Sequence, residues 1–298
     1  MKLSLCIATF NEEKNLHYPL DSAIDFVDEV IIVDGGSTDR TVEVAKSYGK
    51  KTKIIISENP VMFHKNKQKA IEAAEGQWIL QLDADEELSS ELKEEIVKLI
   101  HGSIVKKTMK QSNNETITDP VAYWIPRKNW FLTRFLEKGG VYPDYTIRLY
   151  KNGVARFPCR DVHENVEIIG QKLKVKNQNL NSKVKSESLN NETMKQLNNG
   201  TIGYLKNPIL HYADPDFSRY LMRWDRYTTL EVEQMPKSTK LGFFNYFIWK
   251  PKITFLMMYF RHKGFMDGFP GFIFALFSSI RFWVIYIKWR IKNENFKL

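Results

Sequence analysis

An α/β fold with a mostly parallel sheet and flanking helices is predicted by three observations. The first hundred residues alternate short β-rich runs with helical stretches. Several of those runs are apolar on both faces, and polar clusters follow them. The runs are LSLCIAT, EVIIVD, KIIIS and QWILQLDAD. A polar and helical stretch leads from the first run to residue 26, and helices are expected over 41–48, 66–75 and 89–100. Such alternation predicts parallel strands joined by crossover helices. Val30, Ile31, Ile32 and Val33 form a strand apolar on both sides, as a strand covered by helices on both faces requires.

The chain has 298 residues, 43% of them hydrophobic and 27% charged, which is enough for one large core or two small ones and excludes collagen-like or wholly disordered chains. Two cysteines exclude a disulfide scaffold and favour a reducing compartment. MKLSLCIATFNEE holds one Lys and no small-residue cleavage site, so it is expected to be a first strand rather than a signal peptide. Segment 1–100 is the first half. Residues 101–119 are polar and turn-rich and are expected to form a loop. A second β-rich half extends to 173, through AYWIPRKNWFL, YTIRLYKNGVARF and VHENVEIIG. Segment 174–201, loaded with Asn, Lys and Ser, is expected to be a mobile insertion, because it cannot bury enough apolar area to offset the entropy of ordering. Over 202–235, NPILHYADP predicts a strand and FSRYLMRWDRYTTLEVEQM a helix.

The net charge of +9 sits almost wholly at the end of the chain: residues 240–298 carry ten Lys or Arg and two acids. They also hold 18 of the 39 aromatic residues. Runs such as ITFLMMYF and GFIFALFSSI favour a membrane surface with anionic lipid over nucleic acid, which needs polar readers and stacking rings. The longest uncharged stretch, 268–280, is 13 residues, short of the roughly 20 that cross a bilayer. An amphipathic or re-entrant segment over 236–298 is therefore expected. A tilted span over 269–287 that tolerates Arg281, and an aromatic-rich cap on the core, remain alternatives.

Ligands of open α/β sheets bind beyond the carboxyl ends of the strands. Three clusters fall there: Thr9, Phe10, Asn11 and Glu12; Asp34 through Asp39; and Asp83, Ala84, Asp85 and Glu86. Asp83 and Asp85 lie two apart, on one face if the strand continues through them. Carboxylates without His or Cys beside them favour Mg²⁺ or Mn²⁺, and such an ion implies a phosphate-bearing ligand. The alternative is that Asp85, Glu86 and Glu87 merely favour the start of the next helix. Asp34 follows four apolar residues with no evident capping duty and is expected to contact ligand. Asp39 is expected to cap the helix at 41. Thr9 to Glu12 alone would read as a polar loop.

In this order, CIATFNEE, VDGGSTDRT and NKQKAIEAAEGQWILQLDADEEL resemble the family 2 glycosyltransferases, inverting enzymes with the GT-A (Rossmann-like) fold. KGGVYPDYTIRLYKNG, DVHENV, LHYADPDFSRYLMRWDRYTTLE and RHKGFMDGFPGF are similar to the bacterial lipopolysaccharide core β-1,4-glucosyltransferases, extending the resemblance over most of the chain. The Asn/Lys-rich insertion departs from that pattern. The resemblance implies a UDP-sugar donor, glucose first among the hexoses, and a lipid-linked saccharide acceptor. It places Thr9, Phe10, Asn11, Glu12, Asp34, Lys67, Asp83 and Ala84 at the donor. It places Asp85 on the ion, with His163 orienting the base or reaching the metal. Of the three lysines Lys65, Lys67 and Lys69, a charged helix face is the ordinary explanation. Displacement in line with the leaving diphosphate needs a single base, Glu164 first and Asp161 second. Gly139, Gly140, Tyr142, Pro143 and Asp144 would form an acceptor-side turn, Arg148 would pair with an acid or an acceptor phosphate, and Arg223 and Trp224 would either pack or gate the diphosphate. The expected location is the cytoplasmic face of the membrane, peripherally bound. Another cell-surface glycan as acceptor, and a non-catalytic membrane-surface binding protein, are the alternatives.

Overall fold

The computed structural model describes residues 2–60, 62–109, 120–159, 166–169, 202–236 and 238–293, with side chains omitted over 101–109. The expected insertion over 174–201 lies outside the described residues. β1 (Leu3–Thr9) leads through α1 (His17–Ala23) to β2 (Glu29–Asp34), and α2 (Thr41–Ser47) leads to β3 (Thr52–Ile56). α3 (His64–Glu72) returns the chain to β4 (Trp78–Gln81), followed by β5 (Glu86–Leu88) and α4 (Ser90–Met109). β6 (Ala122–Phe131), β7 (Arg134–Phe135), β8 (Asp144–Lys151), β9 (Ala155–Arg156), β10 (Glu167–Ile168), β11 (Ile202–Tyr204) and β12 (Ile209–Asp214) complete the strands.

The main sheet runs β3-β2-β1-β4-β8-β6-β12-β5, with β7 and β11 on β6. β1 pairs in parallel with β2 and β4, and β2 with β3, whereas β8 joins β4 antiparallel. The first two crossovers move outward from β1, and α3 carries the chain back to its other side. Strand order therefore reverses at β1, and such a switch point opens a crevice beyond the strand ends. Leu5, Ile7, Val30, Ile32 and Leu80 are fully or almost fully buried with Leu16 and Leu20 on one face, and Cys6, Ile31, Val33 and Ile79 with Ala70 on the other. A Leu→Ala change in such a core costs about 2–5 kcal/mol.

Two expectations are corrected here. The helix expected to end at residue 100 continues to Met109, since nothing between His101 and Met109 is a Pro and one internal Gly costs only about 1 kcal/mol. The run QWILQLDAD is a strand only to Gln81, because the Glu86 amide bonds to the Asp83 carbonyl at 3.0 Å and closes a turn.

The chain divides into two compact units, residues 1–126 with 145–209, and residues 127–144 with 210–298. In the second, α5 (Phe217–Glu233) starts at Asp216, whose carboxylate caps it by accepting the Arg219 amide at 2.8 Å. A helical run follows, π-helical over Asn245–Trp249, α-helical as α6 (Lys250–Phe255) and π-helical again over Leu256–Arg261. A single 3₁₀ turn (Gly264–Asp267) then leads into α7 (Gly268–Asn293). The helical stretch Gly264–Asn293 is long and apolar enough to cross a membrane by length and composition. The 13-residue uncharged run thus understates its reach, since Arg281 lies inside a continuous helix. Arg223 pairs with Asp214, and the Trp224 indole packs on Phe277 and donates to its carbonyl at 3.2 Å.

Candidate active site

The loops after β1 and β2 are laced together. Thr9 donates its hydroxyl to Asp34 Oδ1 at 2.9 Å, and the Asn11 amide donates to Ser37 Oγ at 2.9 Å. The Thr38 amide donates to Asn11 Oδ1 at 2.8 Å, and the Glu12 amide to Thr41 Oγ1 at 2.7 Å. Asp34 is almost fully buried, and its other oxygen accepts the Gly36 and Ser37 amides at 3.0 and 2.8 Å. With the Ser37 hydroxyl also on Oδ1, the carboxylate fills about four acceptor positions inside the protein. Asp34 therefore does have a local duty, ordering the turn through Gly36 and Ser37 and tying it to Thr9 at the end of β1, which the sequence reading missed. Asp39 accepts the Thr41 amide at 3.0 Å, but the N-cap position of α2 is Arg40, which makes no side-chain cap bond, so Asp39 braces the turn one residue before the expected cap. Phe10 stands exposed above these loops.

The third cluster is a charged network centred on Arg148 of β8. Arg148 is buried and donates to Gln81 Oε1 at 2.6 Å, to Asp83 Oδ2 at 2.6 Å and to Glu86 Oε1 at 2.8 Å. Burial works against the guanidinium charge, but Asp83 and Glu86 outweigh it and hold its pKa above the ordinary arginine value. Glu86 is wholly buried and its other oxygen accepts the Asp83 amide at 2.9 Å, bracing the turn from inside. The other Asp83 oxygen pairs with Lys67. Lys67 is 8% exposed while Lys65 and Lys69 are exposed, so one lysine of the three on α3 turns inward. Its ammonium also lies 5.1 Å from the Phe63 ring centre and 5.9 Å from that of Phe157. The expectation of an ordinary charged helix face does not hold at this position.

Asp83 and Asp85 do not share a strand face, because β4 ends before them. Asp83 lies two residues past the strand, after Leu82; Ala84 is buried, and Asp85 stands half-buried on the turn. Glu86 and Glu87 belong to β5 rather than to a helix start. Sequence reading missed Gln81, and it placed Glu86 in the cluster without foreseeing its buried bond to Arg148. Gln81 carried a signal, a polar residue inside an apolar strand, since a buried amide needs a partner. β2 and β4 flank β1, so the Asp34 turn and the Asp83 turn lie about 10 Å apart across two strand spacings.

Among the described residues no group of three His, Cys, Asp or Glu could hold a metal ion by itself. The carboxylate turn fits a hard cation that takes one or two carboxylates and completes its shell with substrate phosphate oxygens. Asp83 directs its oxygens at Lys67 and Arg148. Asp161, His163 and Glu164 lie outside the described residues.

In the second unit, Asp144 pairs with Arg127 at 2.7 Å. Gly139 and Gly140 both adopt positive φ, near +73° and +77°, and a Cβ on Gly140 would lie 3.3 Å from the His262 ring. The Gly139 amide donates to the His262 carbonyl at 2.9 Å. Asp267 is buried and accepts the Glu137 and Lys138 amides at 3.0 and 2.7 Å. KGGVYPD and RHKGFMDG, far apart in sequence, thus form one structure.

The profile of glycosyl transferase family 2 matches residues 4–154, just over half of the chain and all of the strand-end clusters above. The chain belongs to glycosyl transferase family 2. This family 2 glycosyltransferase is 25% identical over 290 residues to the lipopolysaccharide core biosynthesis glycosyltransferase LpsC of Rhizobium meliloti, covering 94% of this chain and 88% of LpsC. It is 27% identical over 285 residues to an uncharacterised glycosyltransferase of Rickettsia typhi, covering 94% and 84%. The crystal structure of S. aureus TarS 1-349 in complex with UDP-GlcNAc matches 99% of this chain and 91% of that one at 16% identity, with a TM-score of 0.42. The α/β arrangement expected of this glycosyltransferase is the one observed.

Proposed function

We propose that this glycosyltransferase moves a hexose, glucose first among the candidates, from a UDP-sugar to a lipid-linked saccharide such as lipopolysaccharide core, with inversion in a single displacement. The observation that carries the reading is the braced carboxylate turn at the sheet's switch point. Lys67 and Arg148 fix Asp83 there, so that Asp85 is presented where a diphosphate would meet it. The length of the similarity to LpsC supports the acceptor class; another cell-surface glycan is the alternative acceptor.

In the displacement, the acceptor hydroxyl oxygen forms its bond to the anomeric carbon while the bond from that carbon to the diphosphate oxygen breaks. The bonding pair leaves with the nucleoside diphosphate, and the hydroxyl proton passes to a carboxylate, assigned to Glu164 with Asp161 second. Mg²⁺ or Mn²⁺ held by Asp85 would neutralise charge on the departing diphosphate. Thr9, Asn11 and Glu12, which tie the first two loops together, would line the donor, and exposed Phe10 would offer a ring to the base. Lys67 adds a cation beside Asp83. The exposed apolar surface of the C-terminal helices supports a peripheral site of action at the cytoplasmic face of the membrane.

Purified enzyme is to be offered a panel of UDP-sugars with Mn²⁺, scoring UDP release and the mass of lipid-extracted products. Release that wild type shows and Asp85→Ala loses by about 10²-fold or more is expected. No release with any donor, or equal release by Asp85→Ala, overturns the reading.

A further inference from the structure

The helical run over residues 245–261 and α7 form an antiparallel hairpin. Phe243 meets Tyr286 at 5.9 Å, Phe247 stacks on Trp283 at 6.0 Å, and Tyr259 meets Phe272 at 5.7 Å. α5 covers one side of it, where Val232, Tyr246 and Ile285 are buried together. Among the described residues, the opposite side is left exposed. Phe244, Ile248, Leu256 and Phe260 are all exposed along the first arm, at separations that are multiples of four. Four residues turn about 40° too far in an α-helix, and the π-helical turns at both ends of this arm widen it, which limits that drift. Trp283, Ile287 and Ile291 are exposed along the second arm at the same spacing.

We propose that the hairpin lies flat in one leaflet of an anionic membrane, apolar side down, and does not span it. This deepens the reading of the enzyme as acting on a lipid-linked saccharide and rests on it for the identity of the acceptor. Two observations choose lipid in this pose. Lys252, Arg261 and Lys263 are exposed and form no ion pair with a described residue, while the one described acid of the hairpin, Asp267, is buried. A basic rim around an apolar face matches anionic headgroups over acyl chains. The charges on α7 that would burden a span are turned toward α5: Arg281 meets Glu231 at 3.1 Å and Lys288 meets Asp225 at 2.6 Å. A crossing α7 would draw those acids and the exposed Arg226 into hydrocarbon, where each charge costs several kcal/mol; an in-plane hairpin leaves them in water. The hairpin tip bears His262, against which Gly139 and Gly140 are built, so the acceptor-side turn is carried at headgroup depth.

Full-length protein with a C-terminal tag is to be mixed with sealed phosphatidylcholine vesicles, with and without phosphatidylglycerol. Binding that requires the anionic lipid, falls by roughly tenfold or more in Phe244→Ser/Phe260→Ser/Ile287→Ser, and leaves the tag open to added protease is expected. Equal melting temperatures of wild type and variant guard against misfolding, and Lys252→Gln/Arg261→Gln/Lys263→Gln should weaken binding without touching the apolar side. A tag protected inside the vesicles, equal binding to neutral vesicles, or a stable dimer that ignores vesicles and dissociates in the triple serine variant overturns the proposal. UDP release measured without acceptor reports the catalytic reading separately, because none of the substituted residues lies at the donor site.

Discussion

Arg148 is the residue on which the carboxylate turn depends. It satisfies Gln81, Asp83 and the wholly buried Glu86 at once, and removing one partner of a buried charge pair is far more harmful than the pair itself is helpful. Arg148→Met should therefore cost about 3–5 kcal/mol, read from urea unfolding, and Arg148→Lys should recover only part of it because an ammonium lacks the planar fork. An unchanged midpoint for Arg148→Met would mean the network is not built as described. The carboxylates of this site were legible as residues that follow an apolar run. The choice of Lys67 among three lysines was not, since which of them turns inward depends on how α3 packs beneath Phe157.

At the scale of elements, the four parallel strands and their helices follow from hydrophobic patterning alone, while the ends of elements do not. QWILQLDAD keeps its apolar alternation past Gln81, yet a turn held by Glu86 ends the strand, and nothing local to the run announces that partner. The junction of the first two loops with α2 carries a pH signature. Burial raises the Asp39 carboxyl, but bonds from the Thr41 hydroxyl and amide and from the Glu13 amide lower it more, so it sits below its ordinary value of 3.8. The stabilisation from a carboxyl depressed on folding is complete above the ordinary value and lost as pH falls through the depressed one. Wild type should thus lose stability below about pH 4 more steeply than Asp39→Asn, measured as melting temperature against pH, and parallel curves would argue against this junction.

At the scale of the whole molecule, the composition of residues 236–298 marked them as a tail, whereas the structure makes them inseparable from residues 127–144 within the second unit. Asp267 is the joint. Asp267→Ala should cost about 1.5–3 kcal/mol, because two backbone amides lose a charged acceptor, and should speed hydrogen exchange at Glu137 and Lys138. Unaltered exchange at those amides would show the joint to be dispensable. Sequence order could not reveal the pairing, since about 130 residues separate its two sides. The chain enters this unit twice, which bears on anyone who wishes to graft its C-terminal helices onto another catalytic scaffold. The region cannot be moved as a terminal cassette: a transplant must bring the internal 127–144 segment along, and a chimera without it would leave His262 and Asp267 facing a stranger's loop.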